Sequence, residues 1–166
     1  MITFFNLRLK ETNDLMRREF KTTVIPFLKH QGFVGNLPSF RRQVGTQCQL
    51  LEIQFNRYGK RFAVNLSLAE PSENFLLAGR NQIQLLRSQR LGSRSKRIRR
   101  TRNMDHWFAF LKGFIFYRPA YAEAAHELIT LYETEGELIF SDLQKAINAG
   151  VFCIHLKSRT ESPRLR

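Results

Sequence analysis

Acidic side chains are scarce in this sequence. Fourteen Asp and Glu stand against 27 Lys and Arg, a net charge of +13 over 166 residues. Such a balance favours acidic partners, whether nucleic acid, anionic lipid or an acidic protein, and says nothing about fold. Cysteine is scarcer still. Cys48 and Cys153 lie far apart and form no Cys-x-x-Cys pair, which argues against a disulfide framework and against a zinc site. No apolar run reaches the roughly 18 residues that a membrane-spanning helix needs. The nearest, "WFAFLKGFIFY" at 107–117, is shorter and carries Lys112. The opening "MITFFNLRLK" lacks the ordered charge, apolar centre and cleavage site of a signal peptide. Together these absences predict a soluble cytoplasmic protein that holds no metal and no cofactor.

Catalytic motifs are missing too. There is no G-x-S-x-G, no Walker loop and no G-x-G-x-x-G. His126-Glu127 is followed by Leu-Ile-Thr, so the second histidine of a zinc-binding H-E-x-x-H helix does not arrive. His126 reads as a surface residue of an amphipathic helix and Cys48 as a small strand residue. The expectation is a protein that is not an enzyme.

What is present is enough apolar material for a core: 43% of residues, fifteen of them Phe. At this length a folded chain buries roughly two-thirds of its unfolded surface. "ETNDLMRREFKTTVIPFLKHQG", 11–32, has the spacing of an amphipathic helix, with Thr12 or Asn13 as cap, Gly32 as stop and Pro26 as a kink or split. From 49 to 68 the pattern turns to alternation. Gln49, Leu51, Ile53 and Phe55 share one face, and Phe62, Val64, Leu66 and Leu68 repeat it beyond the turn "NRYGK". That is a hairpin, with Ile53, Phe55, Val64 and Leu66 as its core residues. A strand around Phe40 precedes it and one within 81–91 follows. Helical patterns return at 118–136, with Pro119 in the first turn, and at 141–150, with Ser141 as cap and Gly150 as stop. This order predicts an α+β fold: an N-terminal helix, an antiparallel β-sheet of about four strands, and C-terminal helices packed on the sheet. Residues 1–156 are expected to form a single domain with a basic loop at 92–104, and 157–166 a flexible basic tail.

The densest chemistry lies in "RSQRLGSRSKRIRRTRN". Arg87, Arg90, Arg94, Lys96, Arg97, Arg99, Arg100 and Arg102 bring eight positive charges and no acid into sixteen residues. Arginine outnumbers lysine seven to one, which suits bidentate contact with phosphate. Two other readings compete. The segment can lie along the acidic stretch 119–142, where Glu123, Glu127, Glu133, Glu135, Glu137 and Asp142 meet no Lys or Arg. It can also be a solvated loop. A second candidate is a polar pocket made by Gln54, Asn65, Asp105, His106 and Trp107, in which an acid orients an imidazole and an indole forms a wall.

Several phrases recur in an order that resembles a bacterial family catalogued as domain-of-unknown-function family 4304. They are "P-x-L-K-x-x-G-F" over Pro26–Phe33, "F-x-R" at Phe40–Arg42, a strand closing on Gln54, and "F-x-V-N-L" over Phe62–Leu66. "R-x-x-R-L-G" over Arg87–Gly92 follows, and then Trp107. The resemblance spans about residues 15–140. It implies a small single α+β module. Some such domains sit beside toxin and immunity genes, which implies partner binding. No catalytic residues come with it. This chain departs from the pattern between Gly92 and Trp107, where "SRSKRIRRTRNM" replaces a short connection of mixed charge. The function expected is a non-enzymatic binding module that engages an acidic partner, nucleic acid first, through the Arg-rich loop. The alternative is an immunity-type or regulatory protein that binds one cognate protein such as a toxin.

Overall fold

The computed structural model of the chain describes residues 2–57, 59–72, 75–76, 83–92, 106–112 and 118–150, with side chains from residue 11 onward. Its N-terminal rod runs through α1 (Ile2–Glu19), a π-helical turn (Phe20–Val24) and α2 (Ile25–His30). Met16, Phe20, Val24 and Leu28 recur every fourth residue and are fully buried. On a regular helix such a stripe drifts by about 40° per step. The wider turn, in which the Ile25 N–H reaches the Phe20 carbonyl, takes up an extra residue and brings the stripe back over the sheet. The rod therefore differs from the expected helix at both points of punctuation. It begins at Ile2, so Thr12 and Asn13 lie inside it, and Pro26 falls in the first turn of α2 without splitting the rod. The wide turn just before Pro26 accommodates the ring and its missing N–H. Gly32 does end the rod. At φ +83° it lets the Phe33 N–H reach the Leu28 carbonyl (2.9 Å) and its own N–H reach Lys29 (3.0 Å), a Schellman closure.

β1 (Val34–Asn36), β2 (Ser39–Val44), β3 (Gln47–Phe55), β4 (Arg61–Ala69) and β5 (Leu85–Arg90) form an antiparallel sheet in that order, and β6 (Phe108–Ala109) also pairs with β4. The expected strands are β2 to β5; β1 and β6 extend them at the two edges. Leu51 pairs with Phe40 and Leu66, Ile53 with Val64, and Phe55 with Phe62, so one face carries an unbroken apolar surface. Phe55 is only partly buried, at the rim of that surface; Phe62 is the fully buried member of the pair. On the opposite face Cys48, Ala69 and Phe75 form a second, small cluster, flanked by Ile83 and Leu85.

β5 and β6 share one slot. Arg90 pairs with Asn65, and the Leu91 N–H reaches the Val64 carbonyl at 2.9 Å. The chain then leaves the sheet and returns where Phe108 pairs with Phe62. Only Ala63 separates departure from return. The connection between these two points, residues 93–105, carries six of the eight charges of the Arg-rich segment and is termed the excursion.

The C-terminal rod repeats the N-terminal design: α3 (Tyr121–Leu131), a π-helical turn (Tyr132–Gly136) and α4 (Glu137–Asn148). Two separate helices were expected here. Instead Pro119 belongs to β8 (Arg118–Pro119), which pairs with β7 (Leu111–Lys112), and Ser141 lies inside α4. The rod passes through Gly136, where the Tyr132 ring occupies the space a side chain would need: a Cβ there would lie 2.9 Å from it. Ala124, Leu128, Tyr132, Ile139 and Leu143 join the stripe of the first rod over the sheet. Glu123 ties α3 to the small ribbon, with Lys112 and Arg118 each at 2.8 Å. Its hydrogen bonds from Arg118 and then Lys112 hold the carboxyl down to about 2.

Arg42 locks the two rods to the sheet. It pairs across β2–β3 with Gln49, which is 2% exposed. Its guanidinium donates to Gln49 Oε1 (2.6 and 2.9 Å), to the Gln31 carbonyl at the end of α2 (2.9 Å) and to Glu137 Oε1 at the start of α4 (2.6 Å). It also lies 4.6 Å above the Phe33 ring. The Tyr132 hydroxyl donates to the same Glu137 oxygen at 3.0 Å, and burial pushes its pKa upward.

Candidate functional site

Alternation along β3, β4 and β5 sends every second residue away from the helices. Glu52, Asn65 and Arg90 form one cross-strand row on that outer face, and Gln54 pairs with Ala63 in the next. Arg90 Nε donates to Asn65 Oδ1 at 3.2 Å and Nη2 to Gln54 Oε1 at 3.3 Å. Trp107 arrives from the returning chain. Because Phe108 turns into the core, its neighbour Trp107 turns outward. The guanidinium carbons of Arg90 and of Arg61 each lie 5.1 Å from the Trp107 ring centre. The cations sit against the electron-rich face of the indole, each contact worth about 0.5–1 kcal/mol at a surface. Gln54 and Arg61 are exposed; Asn65, Arg90 and Trp107 are half-buried. The result is a polar face with two guanidiniums against a large aromatic surface; the exposed Arg61 fork suits phosphate or carboxylate and the indole a flat ring, while Arg90 is held by Asn65 and Gln54.

Four residues proposed from the sequence therefore meet: Gln54, Asn65, Arg90 and Trp107. Two others point elsewhere. Arg87 pairs with Leu68, which places it on the helix-facing side. His106 turns away from Trp107, packs edge-on against Phe108 with ring centres 4.6 Å apart, and brings Nε2 to 3.2 Å from Glu127 Oε1. Arg94, Lys96, Arg97, Arg99, Arg100, Arg102 and Asp105 lie outside the described residues, as do the loop beyond Gly92 and the tail at 157–166.

The neck of the excursion is built tightly. Gly92, at φ +82°, has the His106 ring so close that a Cβ would lie 2.7 Å from it. Its N–H donates to the buried Glu135 carboxylate at 3.2 Å. Two acids of the C-terminal rod, Glu127 and Glu135, thus hold the two ends of the excursion. Glu123 and Glu137 are engaged with Lys112, Arg118 and Arg42 instead. Four acids of this stretch, Glu123, Glu127, Glu135 and Glu137, thus serve the neck and the fold.

Arg61 and Arg42 were not singled out from the sequence. Arg61 becomes visible only once β6 is known to lie against β4, a non-local pairing. Arg42 carried a signal, since it is the arginine of "F-x-R" on the same strand face as Phe40.

Among the described residues no three His, Cys, Asp or Glu side chains gather as a metal-ligand group, and no helix is long and apolar enough to cross a membrane. Fold and face define a small α+β module with a cationic, aromatic patch on the side of its sheet away from the helices. Over residues 24–113 the chain matches the family described as domain of unknown function (DUF4304), and it belongs to that family. The match begins at the end of the first π turn and stops short of the C-terminal rod, which the resemblance had included as far as about residue 140. Comparison with curated proteins and with solved structures finds no match. Phrases scattered along the sequence become two clusters in space. Gln54, Asn65, Arg90 and Trp107 form the outer face, while Phe33, Phe40 and Arg42 form the lock between sheet and helices.

Proposed function

We propose that this protein is a non-enzymatic binding module for an acidic macromolecule, nucleic acid in the first place. The outer face at Arg61, Trp107, Arg90 and Gln54 is its platform, and the Arg-rich segment Arg94–Arg102 is its arm. The observation that carries the reading is the pairing of both Arg61 and Arg90 with Trp107 at the foot of an excursion that adds six further positive charges. Guanidinium forks grip phosphates, and an aromatic face stacks on bases whatever their sequence. A net charge of +13 draws any polyanion to the surface before contact.

Mixed-sequence DNA and RNA titrated at several salt concentrations test this. Changing Arg94, Lys96, Arg97, Arg99 and Arg100 together to Gln should weaken binding and flatten the salt dependence. Each lost phosphate contact removes roughly 0.9 from the slope on duplex and roughly 0.7 on single strands. Wild-type protein with no affinity even at low salt sinks the reading. Tight one-to-one binding of a single acidic protein, with nucleic acid ignored, replaces it by the immunity-type alternative.

A further inference from the structure

Beside its buried stripe, the N-terminal rod carries a charged one. Asp14, Arg17, Arg18, Lys21 and Ile25 follow one another at helical spacing and open onto a groove of about 700 Å³, whose far wall is Asn36 and Leu37 in the β1–β2 turn. Three cations crowd this groove against one carboxylate. Among the described residues none of Arg17, Arg18 and Lys21 forms an ion pair with an acid. Arg17 is steadied by the Phe55 ring, 4.6 Å below its guanidinium; Arg18 and Lys21 are exposed. Like charges three and four residues apart on a helix repel one another. A merely solvated stripe would have open water before it, whereas this one faces a wall that supplies an amide and an aliphatic side chain.

We propose that this groove binds a phosphorylated small molecule bearing hydroxyl groups. Arg18 and Lys21, with Arg17, take the phosphate through charge-assisted hydrogen bonds. The Asp14 carboxylate and the Asn36 amide are placed for hydroxyls, and Ile25 and Leu37 pack on the carbon frame. The volume falls within the roughly 300–1,000 Å³ common for small-molecule sites. The groove is separate from the outer face: it lies on the helix side by the β1–β2 turn, whereas Arg90 and Trp107 lie on the opposite side of the sheet by β5 and β6.

The test uses the full chain with ribose 5-phosphate, ribose and inorganic phosphate as probes, read by amide chemical shifts and by thermal melting. Ribose 5-phosphate should shift the amides of 14–25 and 36–37 in a saturable manner and raise the melting temperature, while ribose should do neither. Arg18→Gln with Lys21→Gln should weaken binding by about tenfold or more, the measure of one lost charge-assisted contact. Both side chains are exposed, so the variant should melt as the wild type does. The pair Arg61→Gln and Arg90→Gln should leave this binding unchanged, which separates it from the polyanion surface. Three results would overturn the proposal: no saturable shift with ribose 5-phosphate, binding that survives the Arg18 and Lys21 changes, or inorganic phosphate binding as tightly as the ester.

Discussion

Phe62→Ala should lower stability by about 3–5 kcal/mol, a large part of the roughly 5–15 kcal/mol by which domains of this kind are stable. Phe62 is fully buried and three separate elements converge on its ring. Phe20 of the N-terminal rod meets it edge-on at 5.0 Å, Phe55 of β3 lies tilted beside it at 6.1 Å, and Phe108 of the returning chain stacks on it at 4.9 Å. A cavity opened there cannot close by the shift of one side chain, because each neighbour is anchored in a different element. Phe55→Ala provides the comparison. Its ring is partly buried at the rim of the same group, so its loss should be about 1–2 kcal/mol smaller. Urea unfolding of the two variants checks this. A loss below about 1 kcal/mol for Phe62→Ala would mean that the aromatic group does not join rod, sheet and excursion.

Arg42→Met should cost about 2–4 kcal/mol. Methionine keeps a long stem over Phe33 but donates nothing. The buried Gln49 oxygen and the Gln31 carbonyl then lose their charged donor, and an unsatisfied buried acceptor is the expensive part of a broken hydrogen bond. The ion pair contributes less. The Glu137 side chain is 60% exposed and returns to water, so Glu137→Gln should cost no more than about 1 kcal/mol. Lysine keeps the charge without the fork, so Arg42→Lys should recover less than half of the loss. Chemical denaturation of the three variants decides it; lysine restoring full stability would reduce Arg42 to a point charge.

Both sites lie where the sequence was easiest to read and yet hid something. The β3–β4 hairpin was legible because Leu51, Ile53, Val64 and Leu66 alternate strictly around "NRYGK" and all lie buried on the helix-facing side. The rods were legible as helices but not in their extent. A stripe at every fourth residue looks like an amphipathic helix, and only the folded chain reveals the π turns that keep Phe20 and Tyr132 pointing at the sheet. Pro26 was read as a kink or split and the helical pattern was ended at 136; in fact the wide turn accommodates the proline, and the rod continues past Gly136 beneath the Tyr132 ring. Part of the candidate face was legible as well, since Gln54, Asn65, Arg90 and Trp107 are polar or amphipathic residues at or beside strands. Their meeting with Arg61 was not, because it depends on β6 returning to the slot of β5. Local pattern carries no information about a pairing across fifteen or more intervening residues of chain. His106 and Trp107 are adjacent in sequence and part company for the simplest reason: successive residues of an extended chain point to opposite faces.

The Arg61–Trp107–Arg90 face is proposed to receive nucleic acid, and Trp107 can report on it directly, being the only tryptophan in the chain. A fluorescently labelled single-stranded oligonucleotide gives the binding curve by anisotropy; the unlabelled strand, titrated in parallel, is followed by tryptophan emission. Stacking of a base on the indole, or displacement of the guanidiniums that lie against it, should change the emission with the same midpoint as the anisotropy. Both curves should weaken together as salt rises, and Arg61→Gln with Arg90→Gln should weaken them again. Binding that leaves Trp107 emission unchanged at saturation, or no binding at low salt, would contradict the account.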